Sequence, residues 1–175
     1  MFIPGGVISA LTFPGVVTHE LAHQLFCNYF KIPVHEICYF RLGNPAGYVI
    51  HERVDNPLHQ ILIAAGPFFL NSIFGAIISF PSALRDGLGG TSILNLVLMW
   101  FGISIAMHAI PSVDDAKSMW KAVSGKNSSF LVKITVAPVV GLIFLFSIGS
   151  VFWLDLVYGI FVCMAFPTIL VAMLA

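Results

Sequence analysis

Residues 58–84 read LHQILIAAGPFFLNSIFGAIISFPSAL, a run without one Asp, Glu, Lys or Arg. A helix needs ~20 such residues to cross a ~30 Å hydrocarbon layer. Residues 91–113, 134–154 and 156–175 are further runs of this kind, and residues 1–30 carry one acid, Glu20, and no Lys or Arg. Only 9% of the chain is charged, 58% is hydrophobic and the mean hydropathy is +0.96. A soluble domain carries roughly 25% charged residues, so this chain lacks the charge to cover a water-facing surface. The reading that follows is an all-α integral membrane protein forming a single domain over residues 1–175. It predicts about five transmembrane helices, near 6–30, 58–80, 92–112, 131–151 and 155–175. Gly149, Ser150 and Asp155 mark a tight turn between the last two.

The first run is not expected to be a cleavable signal peptide, because it lacks a basic start and holds His19, Glu20 and His23. Pro14-Gly15 sits in its middle, so a shorter helix from Pro14 to Phe30 after an interfacial stretch is the alternative. Cys27, Cys38 and Cys163 are odd in number and scattered, and form no disulfide framework. A net charge of zero gives no ground for a nucleic-acid partner.

The bases set an orientation. Lys31, Arg41 and Arg53 follow the first segment, Lys117, Lys121 and Lys126 follow the third, and Lys133 opens the fourth; Arg85 alone falls on the other side. Seven of eight bases on one side make that side cytoplasmic, with the N-terminus outside and the C-terminus inside. Within the 31–56 loop, VHEICYFRL (34–42) and YVIHERV (48–54) are rich in strand formers and flank Gly43-Asn44-Pro45-Ala46-Gly47. That pattern predicts a β-hairpin at the membrane face between the first two helices.

The chemistry centres on His19-Glu20-Leu21-Ala22-His23. Residues four apart stack on one helix face, so both imidazoles can reach one ion, and Glu20 lies beside it as a general base. Buried histidines on carbonyl partners would be the inert alternative, but ionisable groups in membrane segments are costly and usually functional. A catalytic zinc ion takes three protein ligands, so a third must come from elsewhere. The cluster from Met107 to Ala116 includes His108, Pro111, Asp114 and Asp115, and the topology brings it to the same face as His23.

These motifs together resemble the site-2 protease family of intramembrane zinc metalloproteases. That family pairs HExxH on one membrane helix with N-x-x-P and a following Asp-Gly two helices later. Many members carry Gly-Pro and a nearby Asn between them. Here His19-Glu20-x-x-His23, Gly66-Pro67 with Asn71, and His108-x-x-Pro111 with Asp114-Asp115-Ala116 stand in that order. The likeness covers roughly residues 14–120, a catalytic core to which the helices over about 131–175 add nothing. His108 replaces the family's Asn, the spacing after Pro111 is shorter, and Ala116 replaces Gly. The resemblance implies zinc held by His19, His23 and Asp115, with Glu20 catalytic. Asp114, His108 and Cys27 are the alternative third ligands. His108 and Asn71 are accessory candidates, His108 as a donor beside the metal. Asn71, Ser72, Asn95, Ser104 and Thr18 are candidates for a water path. His35, Glu36, His51 and Glu52 on the hairpin could form a second metal site, or be solvated.

The function implied is hydrolysis of peptide bonds in transmembrane or juxtamembrane segments, with a membrane-protein or peptide substrate inside the lipid bilayer. The hairpin would hold an unwound substrate by edge pairing. A metal-binding membrane protein without catalysis, a sensor or carrier, would need the histidines but not Glu20. A transporter would be expected to show repeats, and none is visible.

Overall fold

A computed structural model describes residues 5–85, 92–125 and 128–174; Lys126 and the run ends Thr91 and Ala175 lie outside the described residues. The chain is mostly helical, with a two-stranded antiparallel sheet. In order it forms α1 (Gly5–Leu11), α2 (Phe13–Tyr29), β1 (Val34–Cys38), β2 (Tyr48–His51), α3 (Pro57–Arg85), α4 (Ile93–Met107) and α5 (Val113–Ser124). Then come α6 (Phe130–Gly149), a 3-10 turn (Ser150–Phe152), α7 (Leu154–Ile160), a π-helical turn (Phe161–Ala165) and α8 (Phe166–Leu174).

Three helical stretches, Pro57–Ala83, Phe130–Gly149 and Leu154–Met173, are long and apolar enough to cross a membrane. The expected count of about five is therefore corrected among the described residues. The segment over 6–30 is broken: α1 stops at Leu11 and the 17-residue α2 restarts at Phe13. Pro14 has no amide proton for the carbonyl four residues back, so it suits the first turn of α2 and not the middle of a longer helix. The segment over 92–112 ends early, at Met107, after 15 residues. The region after it, read as a loop, contains the amphipathic helix α5, begun by Ser112.

The hairpin forms between α2 and α3. Lys31 takes a left-handed conformation (φ 58°) and the Ile32 amide donates to the Cys27 carbonyl, which closes α2. β1 and β2 pair from Val34 opposite His51 to Cys38 opposite Tyr48. Both strands are shorter than the strand-rich sequence stretches. The Tyr39 hydroxyl donates to the Gln24 side chain and ties the hairpin to α2.

α3 is the spine. α4 lies antiparallel against it where Gly75, Ser79, Gly102 and Ala106 meet. A Cβ on Gly102 would stand 2.6 Å from Ser79 Cβ and 2.9 Å from the Gly75 carbonyl. Small residues let two apolar helices approach this closely, so dispersion contacts replace the hydrophobic drive that lipid cannot supply. The other end of α3 packs Ile61, Ala64 and Ala65 against Ala116, Met119 and Val123 of α5 and Val140 of α6.

α6 and α7 do not form the expected hairpin. Ser147, near the end of α6, donates to the Pro111 carbonyl just beyond α4. Gly159 on α7 backs onto Met107 and the Ile103 carbonyl, and Ser79 then donates to the Cys163 carbonyl. The chain passes Trp153 in a left-handed conformation (φ 64°) and continues along α4 and α3 in the same sense as α6. The expectation of a C-terminus beside the basic loops is corrected accordingly: α8 runs toward the opposite end of the bundle, beside the C-terminal half of α3.

Gly102→Leu is expected to wedge α3 from α4. Overpacking of this kind costs about 2 kcal/mol, or a fall of about 5 °C in unfolding temperature for a chain of this size. Thermal unfolding of the detergent-purified variant checks it. An unchanged midpoint would show that the Gly75–Gly102 contact is not a close-packed one.

Candidate metal centre

The site is built where α2, α3 and the α4–α5 connection meet. His19, Glu20 and His23 are all buried on α2. His23 Nδ1 bonds the Ile63 carbonyl at 2.9 Å. Inside a helix that carbonyl would accept from the amide of residue 67, but residue 67 is proline. Pro67 therefore leaves Ile63 an orphan acceptor in the middle of α3, and His23 fills the vacancy. The adjoining Gly66 faces the Phe26 ring, where a Cβ would come within 2.5 Å, so the pair Gly66-Pro67 both lets α2 close on α3 and supplies the acceptor.

His19 is held in the same way. Its Nδ1 bonds the His108 carbonyl at 2.6 Å. α4 ends at His108, and the amide of Ser112, four residues on, is turned to Asp115 instead (2.9 Å). The His108 carbonyl also accepts from Asn71 Nδ2 at 3.1 Å. Asn71 is fully buried and does not line the cavity; it positions the acceptor that positions His19.

A carbonyl can only accept, so each Nδ1 carries its ring's proton and each Nε2 offers a lone pair. The two Nε2 atoms face each other at 3.1 Å. Asp115 Oδ2 lies 3.5 Å from His19 Nε2, and Oδ1 lies 3.4 Å from His23 Nε2. The ligand atoms of His19, His23 and Asp115 all fall within 4.8 Å of one another. Three acceptors converging in this way repel one another unless a cation lies among them. Two imidazoles oriented by Nδ1–carbonyl bonds, with one carboxylate, are the donor set of a three-ligand zinc site. The three residues could hold a metal ion, and their donor types suit zinc.

Asp115 is fixed by its own helix start. Ser112 Oγ accepts from the Asp115 amide (3.1 Å), while Asp115 Oδ2 accepts from the Ser112 amide (2.9 Å) and hydroxyl (2.6 Å). This capping box begins α5 and aims the carboxylate at the histidines. Asp114 points away, exposed, and pairs with Lys117 at 2.8 Å. The Ser112-x-x-Asp115 spacing was a sequence signal separating the two.

The other candidates take lesser places. His108 lines the cavity, but its Nδ1 bonds the Ser104 carbonyl (2.9 Å) and its ring is not among the clustered ligands. Cys27 is buried outside the cluster, and all three cysteines are free. Of the hairpin residues proposed for a second metal, Glu36 accepts from the Tyr48 hydroxyl and His51 Nδ1 bonds the Glu52 carbonyl. They form no metal-ligating group among the described residues. The expected water path is not built by the residues named for it. Ser104 ties α4 to the Thr12 carbonyl, Thr18 bonds back to its own helix, Ser72 pairs with the Tyr158 hydroxyl, and Asn95 is buried at the start of α4.

Glu20 completes the centre. Its carboxylate accepts no hydrogen bond within the chain among the described residues, and it lines a cavity of about 610 Å³ with His19, His23 and Asp115. Gly47, at the entry to β2, covers it: a Cβ there would approach Glu20 Cγ to 2.6 Å. That glycine, read from sequence only as turn chemistry, leaves the room Glu20 occupies. Comparison of the chain with protein-family models, with curated proteins and with solved structures finds no match.

Two substitutions separate these roles. Asp115→Ala is expected to abolish stoichiometric zinc binding, and Asp114→Ala to leave it intact. Pro67→Ala restores the helical partner of Ile63 and is expected to weaken zinc binding about tenfold, within the range for losing an orienting bond. Competition with a chromophoric chelator measures all three; equal losses in the two aspartate variants would refute the ligand assignment.

Proposed function

We propose that this chain is an intramembrane zinc metalloprotease of the site-2 protease kind, hydrolysing peptide bonds in transmembrane or juxtamembrane segments of membrane proteins. The observation that carries the reading is the convergence of two lone-pair Nε2 atoms and the Asp115 carboxylate beside an unengaged Glu20 on one cavity wall. When bound by His19, His23 and Asp115, zinc would acidify water and polarise the scissile carbonyl.

The chain's own residues would do the rest. Among the described residues β2 pairs with β1 along one edge only, and its residues Tyr48, Val49 and His51 line the cavity, so its other edge offers backbone groups to an extended peptide. A helical substrate exposes no such groups, so it must unwind before it can be cut. Glu20 takes a proton as the water oxygen bonds to the carbonyl carbon. It returns that proton to the amide nitrogen as the C–N bond breaks.

The orientation follows from charge. Lys31, Arg41 and Arg53 lie in the connection between α2 and α3, Lys117 and Lys121 on α5, and Lys133 in the first turn of α6, all toward the end of the bundle nearest the metal ligands. We place that end at the cytoplasmic face, with the N-terminus outside.

Glu20→Gln is expected to retain zinc at full stoichiometry and lose cleavage of a model transmembrane substrate by at least about a hundredfold, as removal of a general base does. A variant that keeps both zinc and cleavage would refute the mechanism. A parent protein that binds zinc and cleaves nothing would favour the sensor or carrier reading.

A further inference from the structure

The cavity extends beyond the metal ligands. Its far wall is formed by Ser147 and Ser150 at the end of α6 and by Asp155 at the start of α7. Asp155 sits in a stretch that otherwise excludes charge: residues 134–175 hold no other Asp, Glu, Lys or Arg. Were α6 and α7 the arms of a hairpin turning at the membrane surface, Asp155 would stand in water and need no account. The observed path gives it another place. Ser147 is held on Pro111 and Gly159 on Met107, one on each side of Asp155. Asp155 therefore lies level with the α4–α5 connection, whose His108 carbonyl orients His19.

An ionisable group in so apolar a stretch is costly and usually functional. Asp155 has little to compensate it within the chain. Its Oδ1 accepts from the neighbouring Leu156 amide at 2.9 Å, and it makes no ion pair among the described residues. The nearby hydroxyls are engaged elsewhere: Ser147 donates to the Pro111 and Ile143 carbonyls, and Ser150 to the Ser147 carbonyl. Among the described residues no Lys or Arg lines the cavity. Of the carboxylates that do, Glu20 and Asp115 belong to the metal centre, and Asp114 is paired with Lys117. Among the described residues Asp155 is left as the carboxylate on the wall that has no side-chain partner and no place in the metal centre; it accepts only from the backbone at the start of its own helix.

We infer that Asp155 is a specificity-determining residue, which binds a cationic side chain, lysine or arginine, of the peptide in the cleft. The inference rests on the proteolytic reading of the site. With one wall of the cavity formed by β2, an extended peptide is presented to Asp155 on the other. A cationic side chain supplies the side-chain partner that Asp155 lacks, whereas a neutral one leaves the carboxylate without it. Lys and Arg reach such a group on long apolar stems. They also flank membrane segments on the cytoplasmic side, where we place this site, so substrates of the proposed class bring the required charge.

The test uses the full-length zinc-loaded protein and model transmembrane peptides carrying Lys, Gln or Glu at one position at a time. Lys at one position is expected to raise kcat/KM roughly tenfold over Gln, the scale of one hydrogen bond to a charged group. The near-isosteric Asp155→Asn should remove that preference, and Asp155→Lys should transfer it to Glu at the same position. A preference for Lys that survives in Asp155→Asn, or rates indifferent to charge at every position, would overturn the inference while leaving the protease reading intact. The same peptides are also titrated against the Glu20→Gln protein by fluorescence anisotropy. If the parent protein cleaves none of them, yet binding still favours Lys over Gln only when Asp155 is present, the cation site stands and the proteolytic reading fails.

Discussion

Two backbone carbonyls without helical partners hold this site together. Ile63 has lost its partner because residue 67 is proline, and His108 has lost its own because α4 ends there. Each accepts the Nδ1 proton of one α2 histidine. A buried carbonyl left unpaired would cost about 1–3 kcal/mol, so these bonds do two things at once. They satisfy α3 and α4, and they turn both Nε2 lone pairs toward a single point. α2, α3 and α4 must come together for either to happen, which makes the helix packing and the metal geometry one constraint.

The third ligand we propose is coupled to folding in a similar way. Asp115 is both the capping-box partner of Ser112 at the start of α5 and the carboxylate that faces the histidines. α5 is in turn anchored on α3 through Ala116, Met119 and Val123. The ligand thus sits at the first turn of a packed helix rather than on a free loop, as precise positioning requires. Gly47 extends the coupling to the hairpin. The absence of a side chain there lets the chain entering β2 lie close over Glu20, which brings the strand we propose to receive substrate beside the residue we propose to move the proton.

The parts legible in the sequence are those governed by local geometry. HExxH could be read because a four-residue helical spacing puts both imidazoles on one face whatever surrounds them. The hairpin could be read because Gly43 to Gly47 is turn chemistry between strand formers. The role of Pro67 was hidden, although the residue was noticed: an orphan carbonyl has meaning only once His23 is known to stand opposite it. α5 does not stand out as a span because the chain there is too polar, and its one local mark is the Ser112-x-x-Asp115 capping pattern. The course of α6 and α7 was misjudged because two apolar runs of similar length look the same whether they turn back or continue. The choice depends on the tertiary contacts of Ser147 with Pro111 and of Gly159 with Met107.

The central claim is that His19, His23 and Asp115 hold one zinc ion. X-ray absorption at the zinc edge of the purified protein, with metal content measured on the same sample, tests it most directly. The account predicts one zinc per chain, with a first shell of nitrogen and oxygen at about 2.0–2.2 Å and multiple-scattering features from two imidazoles. A sulfur shell near about 2.3 Å would contradict the ligand set. A protein that takes up no stoichiometric zinc would contradict the claim itself.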